Sequence, residues 1–131
     1  MKALILLISI IPSFAFACYC GDEPVERKVA DSDFIFIGVI VESYIDSEKT
    51  IHNKLEIQDK IKGEADSIWL TNETLETSTC GQLTSVGMRY LVFGEKGTPL
   101  SLSSCTYTQA LHVYGLKGLN EVQEAVNKAR Q

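Results

Sequence analysis

Residues 33–44 read DFIFIGVIVESY, and this stretch decides the fold class that the sequence predicts. It is rich in β-branched and aromatic residues, which fit the pleated surface of a β-strand. Gly38 interrupts the apolar run and indicates a bend or a bulge at that position. The stretch therefore predicts one long strand that is largely buried.

Further strands are predicted on the C-terminal side of this stretch. Residues 46–50 are a charged turn, after which Leu55, Ile57 and Ile61 alternate with polar residues as in a half-buried strand. The four predicted strands cover residues 52–61, 67–70, 89–93 and 100–104. Residues 75–87 form a polar loop that carries Cys80.

Two helices are predicted beside these strands. Residues 23–31 form a short helix with Pro24 in its first turn, and residues 120–130 form an amphipathic helix with Asn120 as its N-cap. Because the strands follow one another and do not alternate with helices, the fold class is mainly β, with a small five-stranded antiparallel barrel.

The barrel should be filled by aromatic and aliphatic side chains from all five strands. These are Phe34, Phe36, Val39, Leu55, Ile57, Trp69, Tyr90, Leu91 and Leu102. The C-terminal helix should pack Val122 and Val126 against the outside of the barrel.

Residues 1–17 have the pattern of a secretory signal peptide. Lys2 supplies the positive charge, residues 3–11 are almost entirely apolar, and the sequence Ala15-Phe16-Ala17 suits signal peptidase. A membrane anchor is the alternative, but the apolar run is about half of the ~20 residues that a membrane-spanning helix needs. Cleavage predicts a secreted protein, or a periplasmic one in a Gram-negative bacterium, with a single domain at residues 18–131.

The four cysteines lie in the mature part of the chain, at positions 18, 20, 80 and 105. An even number of cysteines in an exported chain indicates two disulfides, whereas lipidation of Cys18, as in bacterial lipoproteins, would leave one thiol unpaired. Pairing Cys18 with Cys20 would strain the backbone, so two pairings remain open. Both of them fasten the mature N-terminus to distant parts of the chain.

Composition and charge indicate which classes of ligand and partner to expect. Without Lys2 the formal net charge of −5 becomes −6, and since there is no basic patch we expect no nucleic-acid partner. His52 and His112 are far apart in the sequence and predict no metal site, and we expect a monomer without a cofactor of its own. The sequence Asn72-Glu73-Thr74 is an N-glycosylation sequon, which matters only if the source organism glycosylates exported proteins.

Three parts of the mature chain resemble one known family. They are the start CYC at residues 18–20, the segment ADSDFIFIGVI at residues 30–40, and the stretch CGQLTSVGMRYLVFG at residues 80–94. They are similar to the netrin-like, N-terminal inhibitory domain of the tissue inhibitors of metalloproteinases, and the similarity runs through residues 100–105. The resemblance implies a five-stranded OB-like barrel with disulfides Cys18–Cys80 and Cys20–Cys105.

The resemblance also implies a function and the residues that carry it. Such a protein is an inhibitor and not an enzyme: the backbone amine and carbonyl oxygen of Cys18 would bind the catalytic zinc of a target metalloproteinase. Tyr19 would enter the pocket beside the zinc, and Cys20, Ser78 and Thr79 would complete the contact edge. This chain departs from the family in lacking a third disulfide and in having Tyr19 where a small polar residue is usual.

Two other functions fit the same sequence. A barrel of this kind could serve as a secreted binding module for a protein, a glycan or a matrix component, because such folds carry many unrelated functions. Alternatively, the CYC start could be a dithiol redox pair, but the sequence offers no helix N-terminus or basic neighbour to lower a thiol pKa there.

Overall fold

A computed structural model describes residues 20–73, 82–103 and 105–131 of the chain. Its elements are α1 (Val25–Asp31), β1 (Phe34–Ile45), β2 (Thr50–Lys62), β3 (Trp69–Glu73), β4 (Arg89–Gly94), β5 (Leu100–Ser101), β6 (Gln109–Ala110) and α2 (Leu111–Ala129). Cys18, Tyr19, Ser78, Thr79 and Cys80 lie outside the described residues, as does the predicted signal peptide. Among the described residues, no helix is long and apolar enough to cross a membrane.

The six strands found in the described residues form one sheet in the order β5-β3-β2-β1-β4-β6, and the sheet curls into a half-barrel. The mainly β prediction is confirmed, but the number of strands differs from five. Strand β6 has only two residues, too few to show a periodic pattern in the sequence. The prediction of a purely antiparallel sheet is also wrong, since β5 pairs with β3 in parallel.

Strand β1 confirms the interpretation of residues 33–44. It pairs with β2 on one side and with β4 on the other, and its register against β2 shifts at Ile37 and Gly38, where a bulge was predicted. Its first part is buried on both faces of the sheet, which explains why the sequence there is continuously apolar and not alternating.

Successive residues of each strand point to opposite faces of the sheet and so build two clusters. The inner cluster, on the concave face, contains Phe34, Phe36, Ile40, Leu55, Leu70, Tyr90, Val92, Leu100, Leu102 and Ala110. The outer cluster contains Val29, Ile35, Ile37, Ile61, Leu91, Phe93, Val122, Ala125 and Val126. The predicted packing of Val122 and Val126 on the outer face is therefore confirmed.

Three of the residues expected inside the barrel lie elsewhere. Leu91 belongs to the outer cluster, because its neighbours Tyr90 and Val92 point inward. Val39 is only half-buried. Trp69 is 37% exposed, since alternation points Leu70 inward and leaves Trp69 on the opposite, convex face.

The C-terminal helix begins earlier than predicted. It starts at Leu111 and not after Asn120, and it continues past a kink at Gly115, whose φ is 63°. Val113 and Leu116 are exposed in its first half, so no apolar face could be recognised in the sequence there. Residues 100–104 were likewise expected to be a strand, but β5 ends at Ser101.

Substitution of Gly94 tests how tightly the inner cluster is packed. A Cβ atom at this position would overlap the ring of Phe34 and come within 2.9 Å of Leu100 Cδ2. We expect Gly94→Ala to cost about 2–3 kcal/mol of unfolding free energy through overpacking, which corresponds to a Tm lower by roughly 8–15 °C. Thermal unfolding monitored by circular dichroism measures this shift.

Gly21→Ala is the matched control for this substitution. A Cβ at Gly21 meets nothing within 4 Å, and its φ lies outside the left-handed region. Its Tm should stay within about 2 °C of the unsubstituted protein, as for other surface changes. Equal Tm values for the two variants would contradict the described packing of Phe34 against Gly94.

Candidate functional site

A disulfide fixes the N-terminal end of the described chain. Cys20 is bonded to Cys105, with their Cα atoms 5.0 Å apart. This is one of the two pairings implied by the resemblance. Cys20 precedes α1, and Cys105 lies in the loop between β5 and β6. The bond therefore closes a loop with a sequence separation of 85 residues.

The loop that holds Cys105 is braced by short hydrogen bonds. The backbone N–H of Ser103 donates to Thr106 Oγ1 over 3.1 Å, and the Thr106 hydroxyl donates to the carbonyl of Ser103 over 3.0 Å. The backbone N–H of Cys105 donates to Ser103 Oγ over 3.2 Å. Cys20 is thus bonded to a loop whose own turn is hydrogen-bonded.

Aromatic contacts connect this loop to both helices. The Tyr107 hydroxyl donates to Asp31 Oδ2 over 3.1 Å, and the Tyr114 hydroxyl donates to the backbone carbonyl of Tyr107 over 2.9 Å. The ammonium of Lys28 lies 5.8 Å from the Tyr107 ring centroid and 5.6 Å from that of Tyr114, which is within cation–π range. Helices α1 and α2 therefore help to hold the position of the disulfide.

These contacts shift the pKa values of the two phenols. Desolvation and, after it, the hydrogen bond to Asp31 raise the pKa of Tyr107, and burial raises the pKa of Tyr114 to about 12. Both phenols stay protonated at physiological pH and keep donating their hydrogen bonds.

A polar groove of about 210 Å³ lies beside the disulfide. It is lined by Cys20, Gly21, Asp22, Glu23, Lys28, Cys105, Thr106, Tyr107 and Gln109. Glu23 forms an ion pair with Arg27 over 3.3 Å, while Asp22 is exposed one residue before it. The groove is therefore lined by charges of both signs, with the carboxylates of Asp22 and Glu23 contributed by the sequence Gly21-Asp22-Glu23.

A second feature, not predicted from the sequence, is a buried network of side chains where β2, β3 and the loop 82–88 meet. Asn53 is fully buried and Asn72 is 3% exposed. Asn53 Nδ2 donates to Asn72 Oδ1 over 2.7 Å and to the Leu70 carbonyl over 2.9 Å. Asn72 Nδ2 in turn donates to the carbonyl of Gln82 over 2.7 Å.

This network determines how the sequon at Asn72 should be interpreted. A glycan would be attached to Nδ2 of Asn72, but that atom is buried and engaged with Gln82. Attaching a sugar to this atom would require the hydrogen bond to Gln82 to be broken. In the folded protein Asn72 therefore acts as a hydrogen-bonding core residue.

The hairpin of β1 and β2 carries aromatic side chains on the convex face. The rings of Tyr44 and His52 stack with centroids 4.8 Å apart, and Trp69 meets Tyr44 edge-on at 5.9 Å. His52 Nε2 lies 2.8 Å from Asp46 Oδ2, and this hydrogen bond, followed by one from the Thr50 N–H, lowers the pKa of Asp46. The stacked side chain of His52 thus helps to order the hairpin turn.

The described residues contain no group of three or more His, Cys, Asp or Glu side chains that could hold a metal ion. A zinc role for Cys18 would instead use backbone atoms and the zinc of another protein. A scan of the chain against protein-family models finds no match, and a search of curated proteins finds no significant relative. The family resemblance therefore stays a prediction.

Proposed function

We propose that the mature chain is a secreted inhibitor of zinc metalloproteinases that binds the target's catalytic zinc through the amine and carbonyl oxygen of Cys18. The observation that carries the proposal is the Cys20–Cys105 disulfide. Two residues span at most about 7 Å, so Cys18 has to stay within this distance of the fixed Cys20. The first residues of most domains are poorly ordered, so a disulfide two residues from the mature N-terminus is unusual. Zinc binding by Cys18 would explain it.

The proposed chemistry needs only the free terminus. A catalytic zinc keeps one coordination position for water, and an amine and a carbonyl on the same residue form a five-membered chelate ring that can displace this water. The amine has to be neutral to bind, which its ordinary pKa of about 7.7–8.0 allows at physiological pH. Holding the terminus in place before binding lowers the entropy cost of association.

The proposal includes the finer features implied by the resemblance. The curled sheet would belong to the OB-like barrels, and Cys18 would be bonded to Cys80. Tyr19 would occupy the substrate pocket beside the zinc, with Ser78 and Thr79 next to it. Cleavage after Ala17 would be required, because an uncleaved or lipidated Cys18 has no free amine.

The direct test is an inhibition assay with authentic mature protein. Intact-mass analysis first establishes that the chain starts at Cys18, carries no lipid and has lost four hydrogens to two disulfides. The protein is then titrated against the catalytic domains of several zinc metalloproteinases and, as a control, against a serine protease. Inhibition confined to zinc enzymes is expected, and no inhibition of any zinc enzyme in the panel would refute the proposal.

A second candidate function, a non-inhibitory secreted binding module, is favoured by the convex face of the hairpin. Tyr44 is 50% exposed and lies beside the partly exposed Trp69, and aromatic residues of these types are enriched at protein interfaces. Such a module would bind a protein, a glycan or a matrix component without using Cys18. Binding that survives acetylation of the amine but is lost on Tyr44→Ala would favour this function.

A further inference from the structure

A groove of about 300 Å³, the α2 groove, is formed by Leu111, Leu116 and Leu119 of α2 and by Met88 and Arg89 where β4 begins. Leu111 and Leu119 are partly buried against the outer cluster, so the floor of the groove is continuous with the core. Leu116 is 82% exposed, although the apolar face of a helix is normally buried. The apolar lining therefore extends from the core to the surface.

The kink in α2 lies at this groove, because Gly115 is one of its lining residues. Gly115 has φ 63° and ψ −179°, a backbone conformation that essentially only glycine adopts. Helix α2 thus consists of two helical segments that meet at the groove. Leu116 and Leu119 are three residues apart in the second segment and lie on the same side of it.

Two side chains with N–H donors line the same groove. Tyr90 of β4 pairs with Ala110 of β6, so Arg89 lies at the point where α2 begins, next to His112 in the lining. A guanidinium has a fixed fork of N–H donors, and an imidazole keeps at least one N–H in either protonation state. Within the part of the chain that the structure describes, neither Arg89 nor His112 has a hydrogen bond or an ion pair through its side chain. Their donors are available to a ligand.

The charge of the groove is opposite to that of the chain. Asp and Glu number 17 in the sequence against 12 Lys and Arg, yet none of the described lining residues of the α2 groove is acidic. A guanidinium can bind a carboxylate through two parallel N–H···O bonds. The ligand that complements this groove therefore has a carboxylate at one end and an apolar chain behind it.

The volume of the groove limits the size of that ligand. Small-molecule sites enclose about 300–1,000 Å³, so the α2 groove is at the lower limit and fits one short chain. We propose that it binds a medium-chain fatty acid, with the carboxylate on Arg89 and His112 and the chain along the three leucines. This inference does not depend on the proposed inhibition, because the α2 groove shares no lining residue with the groove beside the disulfide.

Calorimetric titration of the oxidised mature protein with decanoate tests the proposal. Decanol and decyltrimethylammonium have the same chain without a carboxylate and are the matched control ligands. Decanoate should bind saturably and about 10-fold more tightly than either control, because only the carboxylate forms charge-assisted bonds with Arg89. In nuclear magnetic resonance spectra, decanoate should shift the backbone amide signals of Arg89 and of residues 111–119 most strongly.

Substitutions separate the charged end of the site from the apolar end. Arg89→Gln should weaken decanoate binding about 10-fold and leave decanol binding unchanged. Leu116→Gln should weaken the binding of both ligands about 5-fold, whereas Leu116→Met keeps the apolar contact and should bind normally. Arg27→Gln is the control for loss of a positive charge, since Arg27 is exposed on α1 and does not line the groove. Arg89 and Leu116 are also exposed, so each variant should keep its Tm within about 2 °C.

Four outcomes would overturn the proposal. Equal binding of the three ligands, or decanoate binding that Arg89→Gln leaves unchanged, would indicate adsorption to apolar surface without recognition of the carboxylate. Amide shifts centred on residues outside the α2 groove would place the site elsewhere. Binding of a peptide with an apolar C-terminus and a free carboxylate, without binding of decanoate, would assign the groove to a protein partner. Absence of saturable binding by any of these probes would exclude a carboxylate site in the groove.

Discussion

Adding one alanine before Cys18 is expected to abolish inhibition of a zinc metalloproteinase, with a loss of more than about 100-fold. Loss of supporting groups around a metal already costs about 10–100-fold, and this change removes a ligand itself. The added residue turns the Cys18 amine into an amide, which has no basic lone pair, and moves the free amine out of the chelate ring. Titration of the two proteins against one zinc enzyme measures the difference.

The change should leave the folded protein untouched. Cys20 and the disulfide to Cys105 lie outside the chelate, and both core clusters lie further along the chain. Circular dichroism and the Tm should therefore be the same with and without the added alanine. Equal inhibition by the two folded proteins would exclude chelation through Cys18.

The same mechanism predicts a pH dependence with a definite sign. Protonation of the amine competes with zinc for one lone pair, so inhibition should weaken as the pH falls below the amine pKa, ordinarily about 7.7–8.0. Acetylating the amine should remove both the inhibition and this pH dependence. The apparent inhibition constant of the native protein, measured between pH 6 and about 8.5, tests the sign.

Strong local patterns made much of the fold predictable. Strands β1, β2 and β4 are long or strongly apolar, and the structure places them close to the predicted positions. Short elements were harder to predict: β5 begins at the predicted residue but ends at Ser101, and β6, with two residues, shows no periodic pattern in the sequence. Trp69 was misplaced for a related reason: a single aromatic residue does not reveal which face of a strand points inward.

The candidate site, like the fold, could be predicted only in part. The resemblance implied the pairing of Cys20 with Cys105, which the structure contains, whereas cysteine number alone left two pairings open. Neither Asn53 nor Asn72 gave a signal of burial, because asparagine is mostly exposed in proteins and the sequon at Asn72 is typical of a surface position. Their burial depends on strands and a loop that meet only in the folded chain.

Removing the disulfide by the double substitution Cys20→Ser and Cys105→Ser is expected to have the largest effect on stability. The loop that it closes has a sequence separation of 85, for which the chain-entropy model gives about 4–5 kcal/mol of unfolding free energy. Total stabilities of single domains are only about 5–15 kcal/mol. Urea unfolding at a low temperature, where the variant stays folded, measures this loss.

The double substitution should also weaken inhibition, for a reason separate from stability. Both cysteines lie outside the two core clusters, so a folded variant keeps its half-barrel while Cys20 loses its attachment, and the proposed Cys18–Cys80 bond alone would hold the terminus. Leu55→Ala is the matched control, since truncating this buried inner-cluster residue costs about 2–5 kcal/mol and leaves the disulfide in place. If both folded variants inhibit equally well, the disulfide contributes only stability; if only Leu55→Ala inhibits, the attached terminus is what binds the protease.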